Sequence, residues 1–156
     1  MAGLRGINFK IPGVGVRRLS ELVLDFNGTL ALEGRLLPGV RPRLVKLSKR
    51  LVISVLTADT YGTASKVLKS IPVRVQVIRT GVDKKRFARS RRGIAAIGNG
   101  RNDVGMVRAA LIGIAVMGPE GCSGELLRVA DLVTGDIQTA LDMLLNPQRL
   151  TATLRT

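Results

Sequence analysis

The sequence predicts an α/β fold of the doubly wound type, a parallel sheet covered by helices on both faces. Three observations predict it. Short, nearly uninterrupted apolar runs occupy residues 22–26, 51–56, 73–78, 94–97, 112–117 and 131–134, the pattern of strands buried on both faces. Between these runs lie segments that can each hold a helix, so strands and helices alternate along the chain. Polar loops carrying aspartate, asparagine and glycine fall at the carboxyl ends of several runs, where open α/β sheets gather their ligands.

Taken in order, residues 7–11 and 16–19 flank Pro12-Gly13-Val14-Gly15 and read as a β-hairpin. It is expected within residues 1–20, extending the sheet edge as part of the same domain as residues 21–156. After the first core strand, Pro38 opens a helix whose inner side carries Leu44, Val45 and Leu47, proline being well suited to a first helical turn. Residues 60–69 form a second helix with Ala64, Val67 and Leu68 inward. A third spans 83–92 with Asp83 as its N-cap. Helices over 103–111, 123–130 and 136–145 open on Asp103, Ser123 and Asp136, all residue types favoured at helix starts. The tail after Pro147 reads as a short polar extension. With no repeat, linker or low-complexity tract in 156 residues, one domain is expected.

Composition narrows the function classes. No run reaches the roughly 18–20 apolar residues that span a bilayer; the longest candidate, 109–117, reads as a helix end plus a buried strand. The N-terminus has no continuous apolar stretch of signal-peptide type. The single cysteine, Cys122, excludes an intramolecular disulfide and fits a reducing compartment. A cytoplasmic location without a membrane partner is the expectation. The formal net charge of +14 makes a field that draws polyanions. The densest basic stretch is Lys84-Lys85-Arg86 with Arg89, Arg91 and Arg92, and helical spacing puts Lys85, Arg89 and Arg92 on one face. Phe87 is the one aromatic within it, whereas single-strand binders interleave charge with several aromatics. A solvated basic face is the simpler reading. With no histidine in the chain, chemistry falls to carboxylates, lysine, hydroxyls and amides.

Four loops carry that chemistry. Asp25-Phe26-Asn27-Gly28-Thr29-Leu30 follows the first core strand, Thr57-Ala58-Asp59 the second, and Gly98-Asn99-Gly100-Arg101-Asn102-Asp103 the fourth, while Lys84 stands on the helix after the third. An aspartate at a strand end, followed by a loop of small residues, presents a nucleophilic carboxylate to a phosphoryl group. In sequence order these loops resemble the four motifs of the haloacid-dehalogenase (HAD) superfamily of phosphatases and P-type ATPases. Val55-Leu56-Thr57-Ala58-Asp59 with Thr63-Ala64 is similar to the Leu-Thr-Gly-Asp…Thr-Ala segment of P-type ATPases. Gly113-Ile114-Ala115-Val116-Met117-Gly118 and Ala130-Asp131-Leu132-Val133 are similar to their Gly-Ile-Ala-Met-Gly…Ala-Asp-Ile-Val run. The resemblance spans residues 22–145 and is nearest to the small proteins described as soluble P-type ATPase-like.

The resemblance implies a three-layer, Rossmann-like HAD fold and a phosphatase acting through an aspartyl phosphate. Asp25 would be the nucleophile, and Asp25, Asn27 through its carbonyl, Asn99 and Asp103 would hold Mg²⁺, a cation that prefers oxygen ligands. Thr57, Ala58 and the amides of Gly28 and Thr29 would hold phosphoryl oxygens, and Lys84, or failing it Lys85, would neutralise developing charge. Asp59 is a further carboxylate of unsettled aim. Two positions depart from the family pattern. Asn27 replaces the second aspartate, the general acid–base whose help is worth about 10²–10⁴-fold, and Asn99 removes a charge from the metal site. Turnover should therefore be slow. The gaps 30–51 and 59–83 leave no room for a cap domain, so the site is expected to be open. An open site suits a phosphorylated small molecule or phosphoprotein, or closure by a second copy of the chain. Two alternatives stand beside the enzyme: a regulatory phosphate-binding module that has lost turnover, and a nucleic-acid-associated protein.

Overall fold

The computed structural model describes residues 5–156; the first four residues of the predicted hairpin segment lie outside them. Six parallel strands form the central sheet in the order β10-β9-β8-β3-β6-β7. They are β3 (Glu21–Asp25), β6 (Val52–Thr57), β7 (Arg74–Val77), β8 (Ile94–Gly98), β9 (Ile112–Val116) and β10 (Leu132–Thr134). Each coincides with a predicted strand to within a residue or two. Side chains alternate between faces, as the two-residue period of a strand requires. Leu22 and Leu24 of β3 enter one core with Ile53, Val55, Ile97, Ile112 and Ile114, while Val23 enters the other with Leu56, Ala96 and Ala115.

Helices α1 (Val40–Ser48), α6 (Ile137–Leu145) and α7 (Pro147–Leu154) supply Leu44, Leu47, Ile137, Leu141 and Leu150 to the first core. Helices α3 (Gly81–Arg89), α4 (Val104–Ala109) and α5 (Gly124–Val129) supply Ala88, Met106, Val107 and Leu126 to the second. The short α2 (Thr63–Val67) adds Ala64 to the first. This gives the expected three layers. The chain runs outward from β3 through β6 to β7, then crosses back to β8 on the other side of β3. The loops after β3 and β8 therefore diverge, opening the crevice at which such sheets bind ligands. No helix among the described residues is long and apolar enough to cross a membrane.

Several expectations are corrected. The N-terminal hairpin exists, β1 (Ile7–Ile11) paired antiparallel with β2 (Gly15–Leu19), but it forms its own two-stranded sheet and does not extend the central one. Its inner side chains Ile7, Phe9 and Leu19 are buried in the first core, and burying that apolar face on α7 decides its place over edge pairing. The tail after Pro147 is not a polar extension but α7, with Pro147 in its first turn and Leu150 buried; the Thr151 hydroxyl donates to the Lys10 carbonyl across to the hairpin at 2.7 Å. A second small hairpin, β4 (Ala31–Leu32) with β5 (Arg35–Leu36), precedes α1. Its two-residue turn places both Glu33 and Gly34 at positive φ, 50° and 78°, as tight hairpin turns demand. The predicted second helix shrinks to five residues.

Candidate active site

Three charged side chains meet beneath the crevice. Lys84 Nζ donates to Asp25 Oδ1 and Asp103 Oδ1, both at 2.7 Å. Lys84 is 2% exposed, Asp103 0% and Asp25 8%, and buried charges are tolerated only when paired in this way. Each comes from a separate element: Asp25 ends β3, Asp103 closes a 3₁₀ turn (Arg101–Asp103) after β8, and Lys84 lies one turn into α3. Local sequence aims α3. Its N-cap is Thr80, not the predicted Asp83: the Thr80 hydroxyl oxygen accepts from the Asp83 amide and the hydroxyl donates to the Asp83 carboxylate, because the helix begins two residues earlier. Gly81 then lets the first turn press on the 98–103 loop, since a Cβ there would lie 2.9 Å from the Asn102 carbonyl oxygen. These contacts settle the lysine: it is Lys84 that reaches the site.

With two carboxylates and one ammonium, the cluster favours a further positive charge. Burial, followed by repulsion from Asp103, pushes Asp25 up to about 6 despite the pull of Lys84. Burial alone would lower Lys84, but the attraction of Asp25 and Asp103 outweighs it and raises its pKa. Asp103 does not cap α4 with its side chain. Its Oδ2 accepts from the amides of Asn99 and Gly100 at 3.1 and 3.0 Å, which pins the loop. The buried Thr29 hydroxyl lies 3.2 Å from Asp25 Oδ2 and 3.1 Å from Asn99 Oδ1, setting these two oxygens on a common side. Asn99 Nδ2 donates to the Gly121 carbonyl, which fixes the amide with its oxygen toward the Thr29 hydroxyl.

Other predicted residues fall as follows. Thr57 is buried at the end of β6 and borders the cleft with Ala58; its oxygen accepts from the Asp59 amide, so its proton is available to an incoming oxygen. The amides of Gly28 and Thr29, expected at the phosphoryl oxygens, are engaged within their own loop. They donate to the carbonyls of Ala31 and Phe26 at 2.7 and 3.2 Å, because the loop closes into tight turns that use them. Asp59 belongs to α2: its carboxylate accepts from the amides of Tyr61, Thr63 and Ala64. Its hydrogen bond from the Tyr61 amide leads those that hold it below the usual carboxylate range. Asn27 is exposed at the rim. Lys85 does not line the cleft; with Arg89 it borders one groove on α3 and another between α3 and α4. Arg92 lies past the end of α3, so the predicted three-residue face is not formed. Phe87 is covered by the Arg91 guanidinium, 3.7 Å above its ring, and Arg91 also pairs with Glu21 at 3.0 Å.

The cleft above Asp25 has a volume of about 260 Å³ and includes Asn27, Thr57, Lys84, Asn99 and Asn102. It adjoins a larger one of about 530 Å³ running past Ala58 to Tyr61 and Glu33. Glu120, from the loop after β9, borders both. Sequence reasoning missed Glu33, Tyr61 and Glu120. The strand-end rule points to the loop after β9, but neither it nor any motif singles out these three. Gly28 must remain glycine here: its φ is +80°, and a Cβ would lie 2.6 Å from both Asn99 Nδ2 and Glu120 Oε2.

Comparison with known proteins places this architecture. The structure superposes on 3-deoxy-D-manno-octulosonate 8-phosphate phosphatase of Moraxella catarrhalis, solved with magnesium ion, phosphate ion and a KDO molecule, with a TM-score of 0.65 at 17% identity over 86% of this chain and 90% of that one. It also superposes on a zinc-transporting PIB-type ATPase, with a TM-score of 0.62 at 21% identity over 75% of this chain and 20% of that one. The fold is therefore that of the HAD superfamily, shared by its phosphatases and by P-type ATPases. In sequence, the chain is 48% identical over 62 residues to the uncharacterized protein MJ0073 of Methanocaldococcus jannaschii, covering 40% of this chain and 67% of that protein. It is 46% identical over 39 residues to MJ0072 of the same organism, 25% of this chain and 89% of that protein. The chain belongs to the same family as these two archaeal proteins. No family model matches it.

Proposed function

We propose that the chain is a Mg²⁺-dependent phosphomonoester hydrolase that works through an aspartyl phosphate on Asp25 and turns over slowly. The observation that carries this reading is the buried Asp25–Lys84–Asp103 cluster at the switch point of the sheet, with Thr57 beside it at the cleft. A carboxylate held between an ammonium and a hydroxyl, at the floor of an open cleft, is placed for in-line attack on phosphorus.

The oxygens present would suit a hard cation: carboxylates of Asp25 and Asp103, the Asn99 amide oxygen that shares the Thr29 hydroxyl with Asp25, and the Asn27 carbonyl. Bound there, Mg²⁺ would supply charge neutralisation at the phosphoryl oxygens. The chain's own groups do the rest. An Asp25 oxygen forms a bond to phosphorus as the ester P–O bond breaks and the alcohol leaves with its electron pair. Lys84 and the Thr57 hydroxyl hold the phosphoryl oxygens as charge spreads over them. Water then attacks phosphorus, the Asp25–phosphorus bond breaks, and phosphate departs. Asn27 can neither give the leaving oxygen a proton nor take one from the water, so both protons are exchanged with solvent. This is the basis for slow turnover.

Purified protein should release p-nitrophenol from p-nitrophenyl phosphate only when Mg²⁺ is present, and Asp25→Asn should bring the rate to background. Equal, negligible rates for both proteins would remove the enzyme reading. They would favour the second reading, a phosphate-binding module without turnover, for which Asn27 is the motivating residue. The reading is of a single domain acting in the cytoplasm, in keeping with the single cysteine.

A further inference from the structure

In a chain with 25 lysines and arginines against 11 aspartates and glutamates, the two joined clefts are reversed in sign. Among the described residues, Asp25, Glu33, Asp59 and Glu120 line them, and Lys84 is the one lysine or arginine that does. Lys84 lies at the floor, committed to Asp25 and Asp103. The outer cleft, where the part of a substrate beyond its phosphoryl group must lie, has three carboxylates and no cation on its walls. Glu33 and Glu120 make no ion pair among the described residues. The same cleft is lined by Tyr61, the chain's only tyrosine and 90% exposed. A large aromatic with no burial to account for it, beside carboxylates, is a surface for a cation.

We propose that the substrate of this site is a phosphomonoester whose alcohol carries an ammonium group, held in the outer cleft by Glu33, Glu120 and the ring of Tyr61. The proposal rests on the hydrolase reading above and names its substrate class. Nucleotides, polyphosphates and esters with a carboxylate on the alcohol would bring a negative charge against these walls. The same choice answers the difficulty posed by Asn27. Without a general acid, the alcohol must leave as an alkoxide or borrow a proton from water. An ammonium a few bonds from the departing oxygen stabilises that alkoxide by induction and by its field. The acidic walls and the missing acid thus point to one kind of leaving group.

The test is a panel on the full chain with Mg²⁺: phosphocholine and phosphoethanolamine as cationic esters, glycerol 3-phosphate as neutral, 3-phosphoglycerate as anionic. We expect kcat/KM to favour the cationic esters over the neutral one by about tenfold, the worth of one charge-assisted contact. The anionic ester should be poorest, and the preference should shrink with added salt. In Glu33→Gln/Glu120→Gln the ratio of cationic to neutral ester should fall toward one. Hydrolysis of p-nitrophenyl phosphate without any preference for the cationic esters would overturn this proposal and leave the hydrolase reading standing. If Mg²⁺ supports no Asp25-dependent hydrolysis of any ester, the hydrolase reading falls instead. Calorimetric binding of phosphocholine and glycerol 3-phosphate to Asp25→Asn then decides the charge preference without turnover, equal affinities overturning it and a tenfold difference upholding it.

Discussion

Asn27 sets the rate in this reading, and its position makes it testable in isolation. It is exposed at the rim of both clefts, so an aspartate there is solvated and leaves the core untouched. Asn27→Asp should raise kcat for an alkyl phosphate by about 10²-fold or more, the usual return on general acid–base help. The gain for p-nitrophenyl phosphate should be smaller, because p-nitrophenolate leaves without a proton. Steady-state kinetics on the two esters checks this; no gain on either would move the cause of slow turnover to Asn99 or to the open cleft. Asp25 and Asp103 were legible from the order of the loops. Lys84 was legible only as one of a pair, since two adjacent lysines differ in which side of a helix they occupy, and packing chooses between them. The engaged amides of Gly28 and Thr29 were not legible, because the hydrogen bonds that take them depend on how the loop closes.

At the scale of elements, α3 and α7 show two ways in which sequence signals are read short. The start of α3 at Thr80, with Asp83 in its first turn, is a capping pattern displaced by three residues from the expected one, and the shift matters because it sets the turn that carries Lys84. Helix α7 has Pro147 at its start and Leu150 and Leu154 four apart. The signal was present but too short to rank above a tail. What makes it a helix is the hairpin face it covers: Leu150 is fully buried in one core with Ile7, Phe9 and Leu19. Leu150→Ala should cost about 2–4 kcal/mol, as truncating a buried leucine does, measured by urea unfolding. It should also make the N-terminal hairpin more sensitive to proteolysis. A cost below about 1 kcal/mol, under the usual range for such a truncation, would mean that α7 is marginal to the fold.

For the whole molecule, the buried site is a source of instability that pH exposes. The folded-state pKa of Asp25, about 6, lies above its ordinary 3.8. Between these values the folded chain keeps a proton that the unfolded chain has released. Stability from this group is therefore greatest at low pH and falls as pH rises from about 4 to 6, by on the order of 2–3 kcal/mol. Asp59 and Asp142, held below the usual range, act in the opposite sense, losing stability as pH falls through their folded values. The comparison that isolates Asp25 is wild type against Asp25→Asn, unfolded by urea without metal at pH 4.5 and pH 7. The variant should gain on wild type as pH rises. Parallel behaviour of the two proteins would show that burial and the Asp103 charge do not raise the Asp25 pKa in solution.

The sequence by itself determined the layers, the strand sequence and the places where chemistry collects. Apolar period and glycine-rich strand ends are local properties, and a parallel sheet turns them into a core and a crevice. Tertiary structure alone decided which lysine enters the site, that the N-terminal hairpin packs on α7 and not on the sheet edge, and that Glu33, Tyr61 and Glu120 come together at one cleft. These three lie far apart in the chain and share no motif. Their meeting depends on how the loops after β3, β6 and β9 settle over the sheet, and no short stretch of sequence encodes that.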